Sequence, residues 1–109
     1  MSKYQNLSPE TLFDNPTRAR VYDFIERNPG KHLKEIMSET KYATGSISHA
    51  LDALRKFDYI VYVDILLNTG RRAARKLFYT TDYYRHHRKE IMDEISVEYP
   101  SAKGIHVSA

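Results

Sequence analysis

The sequence has no cysteine and no tryptophan, and its 109 residues include only four glycines and four prolines. Without cysteine there is neither a disulfide framework nor a thiolate metal site. So few glycines leave no phosphate-cradling loop, and neither a nucleophile elbow nor a zinc-protease motif occurs. His86 and His87 are adjacent, so on a helix their rings point about 100° apart and share one metal poorly. His32 and His106 stand alone. The expectation is therefore no catalytic residue, no enzyme, no metal and no cofactor. No stretch approaches the roughly 18 apolar residues of a membrane span. The N-terminal MSKYQNLSPE also lacks the apolar core of a secretory signal, so a cytoplasmic protein without a membrane partner is expected.

What the chain does contain is charge of one sign in one place. From Arg71 to Lys89 there are seven basic residues and one acid, Asp82, a net +6. The other ninety residues carry ten basic and thirteen acidic side chains, a net −3. A concentrated basic block on a balanced body is the footprint of a polyanion binder. A solvated basic face without a partner is the bland alternative.

The chain is long enough for one domain with a single core. Ser8 and Pro9 suit the start of a short leading helix whose Leu12 and Phe13 tuck into the core or a partner subunit. Asn15 or Asp14 caps a firmer helix with Val21, Phe24 and Ile25 at helical spacing, stopped at Asn28-Pro29-Gly30. A short second helix turns Leu33, Ile36 and Met37 inward and Lys34, Glu35 and Ser38 outward. The third has Thr44 as its expected cap and buries Ile47, Ala50, Leu51, Leu54 and Phe57. Tyr59 to Leu67 is rich in tyrosine, valine and isoleucine and reads as a strand, with Lys76 to Thr80 as its return. Between them Asn68 to Arg75 is expected to project as a long loop. Thr81 or Asp82 caps a last helix with the stripe Tyr84, Arg88, Ile91, Met92 and Ile95. The fold class expected is mainly α with a small β-hairpin (α+β), a winged helix-turn-helix with a C-terminal dimerising helix. Its divisions are an N-terminal arm or short helix over 1–14, the winged domain over 15–81, the last helix over 82–99, and a flexible, frayed tail over 100–109.

That order places one helix in a DNA groove and a charged loop beside it. Thr44, Ser46, Ser48 and His49 are small donors and acceptors at the start of the third helix. Gly45 lets that start come close to DNA, and Arg55 suits a backbone phosphate. Arg71, Arg72, Arg75 and Lys76 arm the wing for phosphates or a minor groove. Leu12, Phe13, Tyr84, Arg88, Ile91, Met92 and Ile95 are the candidate dimer interface, folding back onto the chain's own core being the rival. Arg85, Arg88 and Lys89 either add phosphate contacts or form a solvated face. Two other readings stand beside DNA binding. One is a winged helix used as a protein-interaction module of a transcription or replication assembly, through Tyr59, Tyr62, Tyr79 and Tyr84. The other is an RNA binder that uses the tyrosines as stacking platforms.

The stretch NPTRARVYDFIERNPGKHLKEIMSETKYATGSISHALDALRKFDYI resembles the core of small prokaryotic, especially archaeal, winged-helix regulators related to the ArsR and MarR groups. The pattern is an NP-x-R helix start, an NPG-x-HLKEI second helix and a TGS-x-S-x-x-L-x-x-L recognition helix. KLFYTTDYY resembles their second wing strand and its exit into a terminal helix, so the likeness covers roughly 15–95. Taken with the apolar stripe of the last helix, the expectation is a homodimeric, nucleoid-associated repressor of prokaryotic or viral setting that binds double-stranded DNA. It matches Thr44, Gly45, Ser46, Ser48 and His49 to the base-reading segment, and Arg71, Arg72 and Arg75 to the wing tip. Two departures stand out. The metal-sensing members use cysteines, absent here, and Lys41-Tyr42-Ala43 puts tyrosine where a smaller residue often sits. Nothing resembles a separate effector domain, which leaves control to a pocket at a dimer interface, to abundance or to a partner protein.

Overall fold

A computed structural model describes residues 8–68 and 72–108. A single 3-10 turn, Leu12–Asp14, leads into α1 (Pro16–Arg27), α2 (Leu33–Thr40) and α3 (Thr44–Lys56). The strands β1 (Ile60–Asn68) and β2 (Arg72–Thr80) follow, then α4 (Thr81–Glu98) and β3 (Gly104–Val107). Helix, turn, helix and hairpin in this order make a winged helix-turn-helix of the α+β class. α1 starts where Asn15 Oδ1 accepts the Arg18 amide at 3.0 Å, with Pro16 in the first turn where its missing N–H costs nothing.

Two apolar clusters share the one sheet. On one side Leu12, Val21, Phe24, Ile25, Ile36, Ile47 and Leu54 pack with Ile60 and Phe78. On the other, Val61, Val63, Ile65, Leu77 and Tyr79 pack with Tyr84, Ile91 and Ile95 of α4. Strand alternation explains the division: odd residues of β1 face α4 and even ones face away. Burial pushes the Tyr79 phenol up to about 12. Gly30, at φ +88°, makes the turn between α1 and α2, and a Cβ there would lie 3.2 Å from the Tyr79 hydroxyl. Its amide donates to the Phe78 carbonyl at 2.8 Å, while the Phe78 amide donates to Lys31 at 3.0 Å. These bonds hold the start of α2 against β2.

Several sequence expectations need correction. Residues 104–107 of the supposedly frayed tail form β3, which pairs antiparallel with β1 from Val63↔Val107 to Leu66↔Gly104. The Ser108 hydroxyl accepts the Tyr62 amide at 2.9 Å, and the Ser108 amide donates to the Tyr62 carbonyl at 3.0 Å. The free edge of β1 supplies the backbone partners that a tail read alone lacks. The long loop over 68–75 is also shorter, because pairing continues to Asn68↔Arg72 and puts Arg75 on β2 opposite Ile65. Ala43, not Thr44, is the N-cap of α3, and Thr80 caps α4 by accepting the Tyr83 amide at 3.2 Å. Lys41 takes the left-handed turn at φ 66°, and Tyr42 packs on the helical core, so tyrosine anchors the link between α2 and α3.

Four of the seven residues expected at a dimer interface are buried within the chain. Leu12, Tyr84, Ile91 and Ile95 are buried in its own two clusters, and Phe13 and Met92 pack partly against them. Arg88 is exposed on α4. The physical reason is the sheet: its α4-facing side carries five buried apolar residues that need a cover, and α4 is that cover. Among the described residues, no helix is long and apolar enough to cross a membrane.

Candidate nucleic-acid interface

On α3, residues 45, 48, 49, 52 and 55 follow helical spacing, so Gly45, Ser48, His49, Asp52 and Arg55 share one stripe. This stripe faces the wing across a groove of about 880 Å³. Tyr62, Phe78, Arg75 and Lys76 line it from the wing, and His32, Leu33 and Lys34 at the start of α2 line it too. Four cations, Lys34, Arg55, Arg75 and Lys76, meet one carboxylate, Asp52, in this lining. Lys76 Nζ rests 4.6 Å from the centre of the Tyr62 ring, which meets Phe78 edge-on at 6.0 Å. Arg55 Nη2 lies 3.2 Å from Asp52 Oδ1.

The start of α3 has no side-chain cap, and Gly45 in its first turn opens onto the groove. Backbone amides at a helix start carry partial positive charge and bind anions. An ideal Cβ on Gly45 would have no neighbour within 4 Å, and its φ lies outside the left-handed range. Neither packing nor backbone geometry within the chain requires glycine at this position.

The structure therefore gathers Gly45, Ser48, His49, Arg55, Arg75 and Lys76 around one groove. Thr44 and Ser46 are exposed but lie outside its lining, and Thr44 Oγ1 turns to Met37 Sδ at 3.4 Å. Arg71 lies outside the described residues; Arg72 is placed by its backbone alone, opposite Asn68. Arg85, Arg88 and Lys89 sit on α4, across the sheet from the groove, and Arg85 pairs with Asp58 at 3.2 Å. Sequence reasoning assigned none of Asp52, Lys34, His32 and Tyr62 to the DNA-binding site, although it put Asp52 on the exposed face of the third helix and Tyr62 among the contacts of the protein-module reading. Asp52 had a signal: it follows Ser48 by four and His49 by three, the spacing of one helix face. Lys34 and His32 had none, because the contact of α2 with the wing runs through the Gly30 and Phe78 backbone bonds.

Among the described residues no cluster of three metal-ligating side chains forms. No protein-family model and no curated protein matches the chain. Among solved structures, that of Streptococcus pneumoniae FabT in complex with DNA is similar at a TM-score of 0.42 and 13% identity. The match covers 86% of this chain, which spans 63% of that chain's length. A likeness at this level assigns no activity to the present protein.

Proposed function

We propose that this protein binds double-stranded DNA and regulates transcription, holding a phosphodiester backbone in the groove between α3 and the wing while α3 faces the major groove. The observation that carries this reading is the groove itself: four cations against one carboxylate, beside an uncapped helix start. Arginine and lysine at such a surface replace condensed counterions, which drives binding irrespective of sequence. Ser48 and His49 are placed to meet base edges. Repression by occupying an operator, as a homodimer akin to the ArsR- and MarR-like regulators, is the mode we assign. The dimer would need a surface other than the buried part of the α4 stripe.

The test is fluorescence anisotropy of a labelled random-sequence duplex titrated at several salt concentrations. Four neutralised phosphates predict micromolar binding with a log–log salt slope of about −3.6. Absence of binding at about 50 mM salt would overturn the reading. The protein-module alternative is weakened because Tyr79 and Tyr84, two of its four tyrosines, are buried. The RNA alternative is weakened too, since Lys76 covers one face of Tyr62.

Gly45→Ala separates function from folding by opposite signs. Alanine favours the helix by about 0.5 kcal/mol and meets no neighbour, so the thermal midpoint is expected to rise by a few degrees. Duplex affinity is expected to fall severalfold, because the methyl group blocks close approach of a phosphate to the α3 amides. A variant with unchanged affinity removes Gly45 from the interface.

A further inference from the structure

We infer that Asp52 sets how sharply the groove discriminates between DNA sequences, by holding Arg55 away from phosphate until a base amino group engages the Asp52 carboxylate. The inference rests on the duplex-binding reading and concerns the same groove. Asp52 is the one carboxylate among the described residues that line it. It stands on the α3 stripe between His49 and Arg55, and its Oδ1 lies 3.2 Å from Arg55 Nη2. The Asp52 side chain is 36% exposed and that of Arg55 44%, so the pair is open to exchange with an incoming ligand.

A phosphate that approaches Arg55 meets the negative charge of Asp52 beside it. The two anions compete for one guanidinium, and repulsion between them disfavours any duplex that offers Asp52 nothing in return. A carboxylate only accepts hydrogen bonds. In the major groove, cytosine N4 offers a donor to an acidic side chain, whereas guanine O6 and N7 are acceptors. With cytosine at the contacted step, Asp52 accepts from N4 and releases Arg55 to phosphate. With guanine there, Asp52 keeps Arg55 and the complex lacks one phosphate contact. Asp52 thus weakens binding to every duplex and relaxes that effect on a subset.

The test compares the 109-residue chain with its Asp52→Asn variant, on a random duplex and on the parent's preferred site obtained by selection. The variant is expected to bind the random duplex roughly tenfold more tightly, with a salt slope steeper by about 0.9, the equivalent of one added phosphate. The ratio of preferred-site to random affinity falls, and preference at the contacted base moves from cytosine toward adenine, which asparagine reads in two teeth. Adding Arg55→Ala to the variant abolishes the gain. Unchanged random-duplex affinity and slope, or uniformly weaker binding with a lowered thermal midpoint, overturns the inference alone. Failure of both proteins to bind any duplex at low salt overturns the duplex reading, and the inference with it.

Discussion

Alanine at Arg55, Arg75 and Lys76 together is expected to lower affinity for a random duplex roughly a hundredfold at low salt and to flatten the salt slope by about 2.7. The three residues come from two elements far apart in sequence, yet they line one groove. Their effect is therefore expected to be collective and independent of DNA sequence, because phosphate contacts position a duplex without reading it. Arg55 and Arg75 are exposed, as is Lys76, so the substitutions leave the core intact. Loss of affinity with an unchanged salt slope would place the binding surface elsewhere. Arg85, Arg88 and Lys89 are the natural control. They carry the same charge on the far side of the sheet, and their replacement is expected to change the slope by less than about one phosphate equivalent.

Ile91→Ala is expected to destabilise the isolated chain by about 3 kcal/mol and to lower its Tm by roughly 15 °C. Ile91 is 2% exposed, enclosed by Tyr84, Ile95 and the α4-facing side of the sheet. Truncation there leaves a cavity between layers that cannot collapse without moving β1 or α4. The measurement also decides between the two roles of the stripe. If it seals the chain's own core, parent and variant keep the same Tm difference over a hundredfold range of protein concentration. If it seals a second copy, that difference itself changes with concentration, because the variant loses the association that stabilises the parent. A concentration-dependent Tm abolished by Ile91→Ala would reverse the assignment made here.

Much of the architecture was legible in residue spacing. Ile47, Ala50, Leu51 and Leu54 repeat at helical intervals and are buried as a face of α3, and Asn15-Pro16 marks a helix start by local hydrogen bonding. Such signals involve neighbours within one or two turns, so the sequence carries them in full. The wing was legible as β-rich composition, but its length was not. Pairing beyond Lys76 to Arg72 depends on β1 lying alongside, and the alanine-rich 72–75 stretch has no strong strand preference of its own. The tail failed for the same reason: β3 exists because β1 has a free edge.

Residue order alone is enough for a helix-turn-helix followed by a hairpin and a helix, with basic residues concentrated in the last two. Period, caps and charge counts are local quantities, and they survive without coordinates. Which charges share a groove depends on how distant segments pack, and the fold settles it. Arg75 and Lys76 of β2 line the same groove as Arg55 of α3, whereas Arg85 and Arg88, a few residues on, belong to α4 on the other side of the sheet. The fold also sets the apolar stripe of α4 over that sheet, where it covers five buried residues. Asp52, unremarkable in the sequence, became part of the groove because a helix brings every third and fourth residue to one side and the wing stands opposite.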